Sequence, residues 1–129
     1  IEIEDGHTDG GFEILRANTA LLKKSGFKIC LDDFGKGNTA LGELSELMPD
    51  IIGIDKSVLY GAKNDCGEAV FGGAVRLAKE MNALVLCEGI ETEAQAESAK
   101  KAECDILQGY FFCKPVNADT LENLLKNQF

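Results

Sequence analysis

The sequence predicts an α/β chain of about five parallel strands, each followed by a helix, forming either an open parallel sheet or part of a closed (β/α) TIM-type barrel. Three observations carry this. The spacing of apolar residues switches repeatedly between short β-rich runs and longer amphipathic runs. The strand-like runs are nearly continuous in apolar residues, as in Ile29-Cys30-Leu31, which suits strands covered on both faces. The length of 129 residues falls short of the about 250 of a complete eight-stranded barrel, and of the about 200 at its lower end.

Taken in order, residues 1–4 read as a strand. Residues 11–25 set Phe12, Leu15, Leu21 and Leu22 among polar neighbours, which is a helix stopped by Gly26. Residues 27–32 form the next strand, and 38–47 a short helix with Leu41, Leu44 and Leu47 on one side before Met48-Pro49-Asp50 ends it. A third strand covers 51–55. The helix over 67–80 uses Val70, Phe71, Ala74, Val75 and Leu77, and a fourth strand covers 83–87. An alanine-rich helix over 92–102, a fifth strand over 106–112 and a closing helix over 118–126, capped by Asn117 or Asp119, complete the chain. Right-handed crossovers place these helices on the outside of the sheet.

Composition narrows the function. The chain is 45% hydrophobic and 27% charged, as in an ordinary globular domain, and one domain is the default. No apolar stretch approaches the roughly 18 residues of a membrane helix, and residues 1–5 lack the features of a signal peptide, so a cytoplasmic location is expected. The net charge of −9 argues against a nucleic-acid polymer as partner, because a phosphate backbone needs clustered Lys and Arg. A small phosphorylated ligand remains compatible, its charge met by divalent metals on protein carboxylates. The five cysteines include no CxxC pair and accompany one histidine, His7; they are expected to be reduced and mostly buried, and His7 to be exposed and idle.

The informative residues are acidic and recur at strand ends. Glu2 and Glu4 mark the first strand, Asp32 and Asp33 the second, Asp55 the third, Glu88 and Glu91 the fourth, while the fifth offers Gln108. In a parallel sheet these ends share one face, where active sites are built. Converging carboxylates repel one another unless cations bind or protons are taken up, so a hard divalent metal site is implied. A pair of such ions, served by adjacent carboxylates such as Asp32 and Asp33, is the arrangement used for phosphodiester hydrolysis. The plainer alternatives are that Asp55 or Glu4 only caps a helix, and that Asp32-Asp33 belongs only to a turn. Gly35 and Gly37 lack dinucleotide-fingerprint spacing and read as turn residues. Tyr110, Phe111 and Phe112 read as core packing at a strand end.

Four segments resemble a known family. Leu31-Asp32-Asp33-Phe34-Gly35-Lys36-Gly37 is similar to the DDFGTG signature of EAL domains, and Cys87-Glu88-Gly89-Ile90-Glu91-Thr92 to their EGVET segment. Asp105-Ile106-Leu107-Gln108-Gly109-Tyr110, with Lys114-Pro115, resembles their terminal QGY and following proline, and Ile1-Glu2-Ile3-Glu4-Asp5 resembles their LEITE strand. The motifs keep the family's order and span essentially the whole chain. The resemblance implies a phosphodiesterase that opens cyclic di-GMP to linear pGpG with two Mg²⁺ or Mn²⁺ ions in a βα barrel. By position, Glu2 and Asp32 would bind metal and Asp33 the second ion. Glu88 would hold or deprotonate the attacking water. Asp55 would order the metal surroundings, and Glu91 and Gln108 those of the substrate.

Departures from the pattern set further expectations. Gly53-Ile54-Asp55 stands where the family has KID, which removes a lysine cation; such a loss typically removes several kcal/mol of transition-state stabilisation. Asp5 replaces the second glutamate of LEITE, and Lys36 and Asn38 alter the DDFGTGYSS stretch. The EAL tripeptide and an asparagine strand would lie upstream of Ile1. Residues 1–129 are therefore expected to be the C-terminal portion of an EAL domain, in a protein with an upstream sensory or cyclase domain, or to associate as a homodimer. Hydrolysis is expected to be impaired or absent in this form, and Gly53→Lys to raise it if the remaining site is intact. The alternatives are a catalytically silent domain that binds cyclic di-GMP or a protein partner, and a scaffold without a ligand.

Overall fold

In the computed structural model, residues 1–4, 11–36, 40–61 and 64–128 are described. Five strands, β1 (Glu2–Glu4), β2 (Cys30–Phe34), β3 (Ile51–Ile54), β4 (Leu84–Cys87) and β5 (Ile106–Leu107), lie side by side in chain order, every pair parallel. The helices are α1 (Phe12–Lys24), α2 (Leu41–Leu47), α3 (Lys56–Gly61), α4 (Asp65–Glu80), α5 (Glu93–Lys101) and α6 (Ala118–Gln128). The strand and helix alternation expected from the sequence is what the chain forms.

Strand alternation explains the core. Leu31, Ile52, Ile54, Val85 and Cys87 project to the helix-covered face, where they pack with Leu44, Phe71, Val75, Ala78, Ala96 and Ala99. The register pairs Leu31 with Ile52 and Ile52 with Val85, so these branched side chains form rows across the sheet. On the other face, Leu86 is buried but Leu84 and Ile106 remain exposed.

Local signals set the helix boundaries. Asn64 accepts from Gly67 N at 2.9 Å to cap α4, and Asn117 accepts from Thr120 N at 2.9 Å at the start of α6. Thr92 and Gln95 form a reciprocal capping box at α5: Gln95 N donates to Thr92 Oγ1, and Gln95 Oε1 accepts from Thr92 N. At the N-terminal ends of the strands, Asp50 pairs with Lys28 at 2.9 Å and accepts from Ile29 N at 3.0 Å. Asp105 repeats the device one layer on, with Lys79 at 2.6 Å and Val85 N at 2.8 Å.

Several expectations need correction. Helix α3 has no counterpart in the sequence reading, because six residues that include a β-branched valine give too short an amphipathic signal. The second strand begins at Cys30, since Phe27 is exposed and precedes the ladder. The fifth strand ends at Leu107, because Gly109 turns the chain against Ile90. Tyr110, Phe111 and Phe112 are consequently 61%, 44% and 49% exposed rather than packed in the core. Cys66 and Cys113 are exposed, Cys30 and Cys87 buried, and all five cysteines are free. The expectations for Asp5, His7, Gly37 and Asn38 fall outside the described residues.

Candidate functional site at the carboxyl rim of the sheet

Because all five strands are parallel, their C-terminal ends line one rim. Pairing of Glu2 with Cys30 and of Glu4 with Asp32 puts both glutamates on the same face as Asp32. In a regular strand Asp32 and Asp33 would project to opposite faces. Here the register of β2 on β3 slips between Leu31 and Phe34, and Asp33 adopts a left-handed backbone with φ of 57°. Asp33 N donates to Asp32 Oδ1 at 2.7 Å, which ties the two carboxylates into one bulge. Both then act on the same neighbour, Glu88.

Glu88 stands just past β4. Burial pushes its carboxyl up to about 7, assisted by the charge of Asp32, a hydrogen bond with Asp32, and the charges of Glu2 and Asp33. Burial also raises the Cys30 thiol to about 11, together with the charges of Asp32, Glu2 and Glu88. Carboxylates from β1, β2 and the end of β4 therefore share one electrostatic neighbourhood.

Asp55 is buried, 6% exposed, immediately after β3. Burial pushes its carboxyl up, but hydrogen bonds from Ser57, at 2.8 Å from the backbone N, and a contact with Asp33 hold it below its ordinary value. The helix-cap reading of Asp55 is correct, and the same carboxylate also faces Asp33.

Helix α3 sits between the turns that carry the acids. Val58 packs against Gly35 after β2, and Lys56 packs against Gly89 after β4. Tyr60 OH donates to Gly89 O at 2.9 Å. The Glu88–Glu91 segment is then zipped to the fifth strand: Gln108 N donates to Cys87 O at 2.9 Å, Ile90 N to Gln108 O at 3.1 Å, and Phe111 N to Ile90 O at 3.0 Å. These bonds bring two backbones so close that a Cβ at Gly109 would overlap the Ile90 amide. Glu91 N donates to Gln95 Oε1 at 2.8 Å, which anchors the loop to the start of α5.

A pocket of about 820 Å³ opens over this rim. Asp33, Asp55, Glu88, Glu91 and Gln108 line it, so five of the seven residues picked from sequence meet there. Glu2 and Asp32 are not on its wall and act on it through Glu88. The wall also holds Lys36, Lys56, Tyr110 and Lys114, with Leu121, Leu124 and Leu125 of α6 opposite. The sequence reading missed Lys56 and Tyr110 as lining residues; a cation two residues beyond each of β2 and β3 was the available signal.

The donor set suits a hard divalent cation, being carboxylate oxygens whose mutual repulsion already raises Glu88. Among the described residues no three His, Cys, Asp or Glu side chains stand close enough to hold an ion by themselves. No helix among the described residues is long and apolar enough to cross a membrane.

The fold and site define a parallel βα domain with an acid-lined pocket at its carboxyl rim, and comparison with known proteins narrows the class. The EAL domain model matches residues 1–115, and the chain belongs to the EAL domain family. It is 33% identical over 96 residues to the probable cyclic di-GMP phosphodiesterase PdeD of Escherichia coli K12, covering 74% of this chain and 18% of that protein. It is 34% identical over 101 residues to the bifunctional diguanylate cyclase/cyclic di-GMP phosphodiesterase MucR of Pseudomonas aeruginosa, covering 78% of this chain and 15% of that protein. The solved MucR phosphodiesterase in complex with cyclic di-GMP superposes with a TM-score of 0.84 at 28% identity, over 93% of this chain and 49% of that one. Bacillus subtilis YkuI, solved with cyclic di-GMP and calcium, superposes with a TM-score of 0.73 at 28% identity, over 99% of this chain and 32% of that one. The chain therefore spans about half of the MucR structure and under a fifth of the length of PdeD and MucR.

Proposed function

We propose that this chain is the C-terminal part of a site for metal-dependent hydrolysis of cyclic di-GMP to linear pGpG, the remaining barrel strands being supplied by sequence outside it. The observation that carries the reading is Glu88, a carboxyl held near neutrality by burial and by Asp32, Glu2 and Asp33, on the wall of an 820 Å³ pocket. A group poised there can accept a proton from an attacking water at neutral pH. Its proton acceptance leaves the water oxygen free to bond to phosphorus; the bond from phosphorus to the ribose ester oxygen breaks, and that oxygen takes up a proton from solvent and leaves as a hydroxyl, opening the ring.

Glu2, Asp32, Asp33 and Asp55 would hold Mg²⁺ or Mn²⁺. Such ions, when bound, supply positive charge against the phosphoryl oxygens. Gln108, fixed by backbone bonds to Cys87 and Ile90, and Glu91, whose N donates to Gln95 Oε1, orient the nucleotide. Lys56 and Lys114 on the wall offer charge to phosphate.

The test is to mix the whole protein with cyclic di-GMP and Mn²⁺ and to follow linear product. Turnover that falls roughly 100- to 10,000-fold in Glu88→Gln supports the reading. Neither turnover nor binding in the wild type rejects it. A second reading, binding of cyclic di-GMP without turnover, is favoured by Gly53, where no lysine supplies a cation and the space holds the Asp32 carboxylate instead. Binding with no linear product would select it.

A further inference from the structure

Lys36 occupies the turn that follows the Asp32–Asp33 bulge, with its backbone N donating to Asp33 O at 3.1 Å. Its ammonium pairs with Asp33 Oδ2 at 2.9 Å. The hydrogen bond and charge of Asp33 act on it most, and the charges of Asp55 and Glu4 add to them. Among the described residues it is the one Lys or Arg that forms an ion pair with a rim carboxylate. Lys56 and Lys114 line the same pocket without such a pair.

The Asp33 carboxylate is also the group assigned above to a divalent ion, and this inference rests on that assignment. An ammonium donates to the same oxygen lone pairs that an ion needs, and the two charges exclude each other at contact distance. We infer that Lys36 is a tethered counter-ion: it holds the Asp33 and Asp55 side of the rim together in the metal-free protein and is displaced from Asp33 when a divalent ion binds. The displacement is easy. The Lys36 side chain is 62% exposed on a flexible four-carbon stem, so the released ammonium is rehydrated at once. The competition therefore tunes affinity without closing the site.

The experiment titrates the whole protein with Mn²⁺ alone and follows free ion by electron paramagnetic resonance, comparing wild type with Lys36→Gln and Lys36→Arg. Lys36→Gln is expected to bind Mn²⁺ about two- to five-fold more tightly, the range an exposed pair can compete for. It should also melt at a lower temperature in metal-free buffer. Lys36→Arg, which keeps the charge, is expected to return both values toward wild type. Unchanged or weaker Mn²⁺ binding in Lys36→Gln, with wild type binding normally, overturns the counter-ion role and leaves the functional reading standing. Absence of Mn²⁺ binding in every variant overturns both.

Discussion

Asp32 and Gly53 share one space: a Cβ placed on Gly53 would stand 2.8 Å from Asp32 Oδ1. That oxygen is the one accepting from Asp33 N at 2.7 Å, so the missing side chain in β3 and the bulge in β2 are one feature. Gly53→Ala is expected to rotate the Asp32 carboxylate off Asp33 N, to cost about 1 kcal/mol for the lost bond, and to change Mn²⁺ affinity. Urea unfolding and Mn²⁺ titration check it. Gly53→Lys meets the same obstacle, so the gain in activity expected from the sequence requires Asp32 to move first. Wild-type stability and metal affinity in Gly53→Ala would show that the space is not shared.

Gly109 is held by backbone rather than side chains. A Cβ there would overlap Ile90, and the bonds from Ile90 N to Gln108 O and from Phe111 N to Ile90 O leave no slack. Gly109→Ala is expected to destabilise the chain by about 1–3 kcal/mol or more. It should also weaken binding of cyclic di-GMP by displacing Gln108. Denaturant midpoints and isothermal calorimetry are the measurements.

The raised Glu88 carboxyl makes stability depend on pH. Folded chains keep the Glu88 proton up to about 7, whereas unfolded chains lose it near the ordinary value of 4.5. Stability contributed by that proton is complete below 4.5 and is lost as pH rises through about 7. Asp50, Asp55 and Asp105 have lowered values and act at the acid end, outside this window. In metal-free buffer the melting temperature is expected to fall between these limits, and Glu88→Gln to flatten the decline. A slope that survives Glu88→Gln would assign the effect to other groups.

Acids at the opposite, N-terminal ends of the strands hold backbone amides and lysines. Asp105 holds Val85 N and Lys79, far from the carboxyl rim in strand direction. Asp105→Ala is expected to leave Val85 N without its partner, at a cost of about 1–3 kcal/mol. Mn²⁺ affinity should stay at the wild-type value. A matching loss of metal binding in the folded variant would contradict the division between the two ends of the strands.

Much of this architecture was readable in one dimension. Ile52, Ile54, Val85 and Cys87 announce their strands because burial of a strand face selects branched and small apolar side chains. Thr92 and Gln95 announce a helix start because capping is local hydrogen-bond chemistry. The acids at strand ends were legible for the same reason: parallel topology alone sends them to one rim, and Asp33, Asp55, Glu88, Glu91 and Gln108 reach one pocket.

By itself the sequence determined the order of the five strands, the buried rows and the rim to which the acids belong, since these follow from period, propensity and capping within a few residues. Only the tertiary structure decided that Asp33 takes a left-handed backbone, that α3 wedges between Gly35 and Gly89, that Gly109 meets Ile90, and that Tyr110–Phe112 face solvent. Each of those depends on how closely two segments distant in sequence approach, and close approach is a property of packed chains that no local pattern records.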